Sequence, residues 1–149
     1  MIKYIDGDLV KSAEQYDVIL HGANCFCTFG AGIALQIKNK FPEAYEADCK
    51  TVKGSIGKLG TITFTTNTTP VIVNCYTQYD MGAYRTGGMD FDYEAALRAL
   101  RQVKKHFTGK KIGMPKIGCM LGGADWSIVQ QIIENELGSE DVTVVNYKP

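Results

Sequence analysis

Histidine is scarce in this chain. Among 149 residues only His21 and His106 occur. The five cysteines, Cys25, Cys27, Cys49, Cys75 and Cys119, are odd in number and form no CxxC pair. A disulfide framework wants an even set, and a structural zinc site wants four ligands at motif spacing. Cys25, Cys27 and His21 lack the other half of such a site, so no metal is expected and the cysteines are expected to be reduced. Charge of one sign is also missing, with 16 Lys and Arg against 16 Asp and Glu. A nucleic-acid binder usually shows a basic face. The one basic cluster, Lys104, Lys105, Lys110 and Lys111, flanks a helix end, where cations suit the dipole. No apolar run approaches the ~20 residues that span a bilayer, and the opening MIKYIDGD has no apolar signal region. No repeat, low-complexity stretch or linker divides the chain. These absences leave one domain over residues 1–149, expected to be cytoplasmic and monomeric, with no membrane partner, no nucleic-acid partner and no cofactor.

What is present is alternation. Residues 2–6 (IKYID) read as a short strand, and 17–23 (DVILHGA) as a strand buried on both faces. After a small, uncharged loop, Ile33, Ile37 and Phe41 recur at helical spacing. Pro42 suits the first turn of a second short helix, whose inner face Ala44, Tyr45 and Cys49 would supply. Residues 60–66 and 70–77 are rich in β-branched residues and read as two strands. A long glycine-rich loop (78–90) then leads to a helix with Tyr93, Ala96, Leu97, Leu100, Val103 and Phe107 on one stripe, capped by Asp90 or Asp92. A strand over 111–116, a second glycine loop (IGCMLGGADW), a helix over 126–137 and a final strand (VTVVNY) complete the chain. Strands alternating with helices predict a three-layer α/β/α domain with its ligand site beyond the carboxyl ends of the strands.

Both glycine loops fall after a strand and before a helix. Helix N-termini carry free N–H groups and partial positive charge, and glycine lets the backbone approach an anion closely. Gly30-Ala31-Gly32 opens one helix and Gly122-Gly123 another. Two such loops facing one another would cradle a diphosphate with few basic side chains. Neither loop is a dinucleotide fingerprint, since Leu35 stands where a third glycine belongs, and no GK[ST] makes a P-loop.

In order and spacing, GDLV (7–10), HGAN (21–24), GAGIA (30–34), MPKIGCMLGG (114–123) and the terminal VTVVNY resemble a macrodomain, the ADP-ribose-binding module. The resemblance runs over essentially the whole chain. It implies the three-layer macrodomain fold with a central mixed sheet, and ADP-ribose or a 1''-substituted derivative as ligand. It implies that Asp8 accepts from the adenine amino group with the Leu9 backbone beside it. Asn24 would hold the distal ribose, where a carboxamide can both donate and accept. Gly30, Ala31, Gly32 and Ile33, with Gly118, Cys119, Met120, Leu121 and Gly122, would cradle the phosphates, and Tyr147 would pack against adenine or its ribose.

The chain departs from the deADP-ribosylating branch of the family in two places. No lysine lies between Lys58 and Lys104, and Gly122 stands where those enzymes place an aspartate. Both departures argue against a covalent lysine mechanism. His21, at a position where the phosphatase relatives also carry histidine, is either an acid–base group or a core histidine. Asp80 and Asp90 either orient water or serve a turn and a cap, and Asp125 reads as a helix N-cap. The catalytic candidates are therefore His21, Asn24 and Asp80. The expected function is hydrolysis at the 1'' position, as in an ADP-ribose-1''-phosphate phosphatase. A deADP-ribosylating hydrolase or a non-catalytic binding module is the alternative.

Overall fold

The computed structural model describes residues 2–119 and 122–149. Six strands, β1 (Ile2–Gly7), β2 (Val18–Ala23), β3 (Ile62–Phe64), β4 (Val71–Tyr76), β5 (Lys111–Pro115) and β6 (Asp141–Tyr147), form one sheet in the order β1-β6-β5-β2-β4-β3. Every pair is parallel except β3 with β4, so the sheet is mixed.

The strand faces explain the layers. Val18 and Leu20 of β2, Ile112 and Met114 of β5, and Val142 and Val144 of β6 point to one side. There they pack against α3 (Tyr93–Phe107) and α4 (Trp126–Leu137) through Ala96, Leu100, Val103, Val129, Ile133 and Leu137. Ile19 and Ala23 of β2 and Ile72 and Tyr76 of β4 point to the other side. They meet Ile37 of α1 (Gly32–Lys40), Ala44 of α2 (Pro42–Cys49) and the segment Leu9, Val10, Ala13 and Tyr16. The strands β2, β4, β5 and β6 are thus buried on both faces, as the apolar run of β2 demands, while the edge strand β1 is mostly exposed. Among the described residues no helix is long and apolar enough to cross a membrane.

Two expectations need correction. The strand expected over 60–66 is only Ile62–Phe64, because the Thr65 hydroxyl takes the Ile72 N–H and bonds Thr68, turning the chain out of the ladder. The inner face of α2 carries Ala44 and Asp48, not Cys49, which is exposed. The i, i+4 face was legible, but a buried aspartate on it was not.

Candidate functional site

Because β1, β6, β5, β2 and β4 run parallel, their carboxyl ends share one edge of the sheet. The loops leaving that edge carry the residues singled out in the sequence. Asp8 follows β1 and Tyr147 ends β6, with Gly7 in register with Tyr147. The segment 116–125 follows β5, residues 24–31 follow β2, and 78–92 follow β4. Four strand intervals of about 4.8 Å separate the first from the last, about 19 Å in all.

In the first glycine loop, Ala31 is the N-cap residue of α1. Its backbone is extended and its side chain offers no cap, and the first turn holds no acidic residue. The first N–H groups of α1 therefore face outward without a side-chain acceptor. Gly32 holds φ +57, and a Cβ at Gly30 or Gly32 would meet nothing within 4 Å. The loop opens onto free space.

The second glycine loop is built differently. Gly118 has φ +78, and a Cβ there would lie 2.3 Å from the Phe91 ring. Ala124 N–H donates to the Gly118 carbonyl at 2.8 Å, and Phe91 N–H to the Gly122 carbonyl at 3.2 Å. Here α4 is capped: Asp125 accepts from Ser127 N–H at 2.9 Å and from the Ser127 hydroxyl at 2.8 Å. Asp125 is thus the N-cap that the sequence led us to expect, and of the two helix starts only that of α1 has no side-chain cap. Met120 and Leu121 lie outside the described residues. Gly122 is buried, and a Cβ on it would sit 2.9 Å from the Gly118 carbonyl oxygen, so this loop has no room for a side chain there.

The catalytic candidates fall in three environments. His21 is completely buried, with Nε2 2.6 Å from Asn74 Oδ1 and the ring edge-on to Phe29. Burial holds its pKa below the ordinary histidine value, with Asn74, Asp48 and Gly22 pulling weakly upward. A neutral imidazole without solvent contact is the core histidine of the two readings. Asn24 closes an Asx turn, its Oδ1 accepting from Phe26 N–H at 2.8 Å while Nδ2 donates to the Thr28 hydroxyl at 2.7 Å. To hold a ribose it would exchange those partners for hydroxyls. Asp80 is exposed, and one of its oxygens takes the Met81 N–H at 2.8 Å. Asp90 accepts from Ala83 N–H, and Asp92, not Asp90, caps α3.

Of the remaining candidates, Asp8 is half-buried and accepts from Lys11 N–H at 3.1 Å. Leu9 is buried against Gly113, where a Cβ would meet Leu9 at 2.9 Å, so only its backbone is available. Tyr147 is exposed at the strand end. Burial raises the thiol pKa of Cys25 and of Cys119, so neither is a ready nucleophile.

The Macro domain family model matches residues 20–133. The chain belongs to the macrodomain family. A 17.5 kDa protein of the tk–vs intergenic region of Enterobacteria phage T4 is 31% identical, the match covering 100% of this chain and 98% of that one. The DNA ADP-ribosyl glycohydrolase of Mycobacterium tuberculosis is 30% identical over 100% of this chain, which spans 42% of that relative's length. The ADP-ribose 1''-phosphate phosphatase of Debaryomyces hansenii is 42% identical over 50 residues, 31% of this chain and 28% of that protein. Among solved structures, the macrodomain of Mycobacterium tuberculosis DarG superposes with a TM-score of 0.74 at 25% identity, covering 100% of this chain and 98% of that one.

What sequence reading missed in this macrodomain is a buried polar cluster beneath the first loop. Asp48 and Lys58 are paired at 3.0 Å, with 0% and 6% side-chain exposure, and Tyr76 donates to the same Asp48 oxygen at 2.6 Å. Burial and Asp48 push the Tyr76 pKa far above the ordinary phenol value. Residues 48, 58 and 76 are too far apart in the chain for any local pattern to signal the cluster.

Proposed function

We propose that this macrodomain binds ADP-ribose along the carboxyl edge of its sheet and hydrolyses the bond at the 1'' position of the distal ribose. The observation that carries the reading is the order of loops along that edge. From β1 to β4 it runs from Asp8 and Tyr147, through the second glycine loop after β5 and then Asn24 with the first glycine loop after β2, to Asp80. That is the order of adenine, two phosphates and distal ribose in ADP-ribose. The uncapped start of α1 supplies N–H groups for a phosphate, which suits a chain of zero net charge.

Hydrolysis forms a bond from the water oxygen to C1'', breaks the bond from C1'' to its substituent, and leaves a proton for the departing group. A lysine adduct has no support here, because no lysine lies between Lys58 and Lys104 and Gly122 has no room for a carboxylate. Catalysis then rests on positioning and on backbone N–H groups, with the exposed Asp80 carboxylate as the group that orients water. His21 acts from beneath the loop and not on substrate.

The match to a DNA ADP-ribosyl glycohydrolase runs the length of this chain, which favours cleavage of an ADP-ribosyl bond. The short match to a phosphatase keeps ADP-ribose-1''-phosphate as the second candidate substrate. Five free cysteines fit a reducing compartment such as the cytoplasm.

The test is calorimetric binding of ADP-ribose, followed by product release from ADP-ribose-1''-phosphate and from ADP-ribosylated DNA, with Gly30→Glu as control. Gly30 has open space at its Cβ and no positive φ, unlike Gly32, so the variant should fold while its carboxylate repels the phosphates. Loss of binding by more than about 100-fold, some 2.7 kcal/mol, is expected. Wild-type affinity in a folded Gly30→Glu would remove the loop from the site. Phosphate release alone would select the phosphatase, and binding without either product would select the non-catalytic module.

A further inference from the structure

We propose that Cys27 and Lys58 are positioning residues for the first glycine loop, the buried Asp48–Lys58 pair gripping the Cys27 sulfur so that residues 25–29 hold the shape that receives ADP-ribose. This rests on the reading of the site given above.

Cys27 has φ +57, the one positive φ outside glycine among the described residues. An L side chain holds that conformation when its surroundings fix it. The surroundings are on the far side of the loop from solvent. The Cys27 thiol donates to the Asp48 carbonyl at 3.7 Å and its sulfur accepts from Lys58 Nζ at 3.7 Å. Lys58 Nζ also donates to Asp48 Oδ1 and lies 4.6 Å from the centre of the Tyr76 ring. From Tyr76 the network runs on through Thr63 and Asn74 to His21, at 2.8, 3.0 and 2.6 Å. The His21 ring then meets Phe29 edge-on at 5.1 Å. The network thus leaves the loop at Cys27 and rejoins it at Phe29. Gly54 N–H adds a bond to the Cys25 carbonyl at 2.7 Å from the same side.

Asp48, Tyr76 and His21 are completely buried and Lys58 is 6% exposed. As placed, none reaches a ligand on the open side of the loop. A buried ion pair is rarely more stabilising than apolar residues of the same shape. Its attachment to a left-handed non-glycine residue, in the loop that faces the phosphates, gives it a use that apolar residues lack: it selects one loop conformation.

The experiment combines amide hydrogen exchange with calorimetry on wild type, Cys27→Ala, Cys27→Ser and Lys58→Met, well below each melting temperature. Cys27→Ala should speed exchange about tenfold at residues 25–31 only, and weaken ADP-ribose about tenfold, as when the competent loop falls to about a tenth of the population. KM should rise with kcat unchanged. Cys27→Ser keeps a donor and an acceptor and should recover most of both effects. Lys58→Met should act in the same direction. If it does not fold, the Cys27 pair decides the matter, since both variants leave the ion pair intact. A merely structural role would speed exchange across the fold and leave affinity alone. Native exchange at 25–31 with native affinity in Cys27→Ala would overturn the inference. Failure of wild type to bind ADP-ribose would instead retire the reading of the site, and the exchange comparison would still decide whether the network holds the loop.

Discussion

The two glycine loops look alike in sequence and are built on opposite principles. The loop after β2 is thin at its own surface, with open space around Gly30 and Gly32 and an uncapped helix beyond. What fixes it lies beneath: a buried ion pair, a sulfur and an aromatic edge. The loop after β5 is held by its own backbone packing, with Gly118 against Phe91 and Gly122 against Gly118, and its helix is capped by Asp125. The first N–H groups of α1 therefore have no side-chain acceptor, whereas α4 begins with one. Glycine in a loop before a helix signals close approach, but not of what: in one loop it leaves space for an anion, in the other it admits an aromatic ring.

The largest effect should come from breaking the second loop. Gly118→Ala combines a Cβ 2.3 Å from Phe91 with a left-handed backbone at φ +78. Overpacking and the conformational penalty together should cost about 3 kcal/mol. Urea unfolding would measure it, and a loss below about 1 kcal/mol would mean that Phe91 and the loop yield together. An alanine at Gly30, with nothing within 4 Å and no positive φ, should cost far less.

A smaller effect tests what lies beneath the first loop. Burial keeps His21 neutral in the folded protein. In the unfolded chain the same imidazole takes up a proton below about pH 6.5. The unfolded state then binds more protons, so the His21 contribution to stability is flat above that pH and falls as pH drops below it, by about 1.4 kcal/mol per unit until the buried ring itself protonates. His21→Gln should remove that slope. Unfolding free energies at pH 7.5 and 5.5 for the two proteins would show it, and equal slopes would mean that His21 is not the group that titrates.

The sequence made the strands legible because β2, β4, β5 and β6 carry the apolar runs that two packed faces require, and α3 because its stripe has a clean helical period. Caps were legible too, as at Asp92 and Asp125, because side-chain capping is local. The 3-10 turns at 13–15, 56–58 and 83–86 were not, since three or four residues carry no period. Neither was the network beneath the first loop. Asp48 is not among the residues read as the inner face of α2, Ala44, Tyr45 and Cys49, and Lys58 stands in a segment without a period, so their pairing comes only with the packing of α2 beside β4. In the candidate site, Asp8, Asn24 and the glycines lie along the carboxyl edge of the sheet, where the alternation of strands and helices led us to expect them. Residue types could not show that Asn24 spends its carboxamide on its own turn, or that His21 faces inward.

The sharpest test of the comparison exchanges the two helix starts, with the smallest effects on stability. Ala31 has the extended backbone of an N-cap and no side chain to act as one. Ala31→Asp should cap α1 and add about 1 kcal/mol, raising the melting temperature by about 3 °C. In the same stroke its carboxylate should occupy the N–H groups meant for phosphate, and ADP-ribose binding should be lost. Asp125→Ala should do the reverse at α4: it removes the acceptor for Ser127, costs about 1 kcal/mol, and leaves ADP-ribose affinity unchanged. A thermal melt and a titration on each variant measure both quantities. If Ala31→Asp is stabilised and still binds, the bare start of α1 is not where the phosphates rest. If Asp125→Ala loses binding with little loss of stability, the second loop takes part through its helix after all, and the two junctions differ less than their caps suggest.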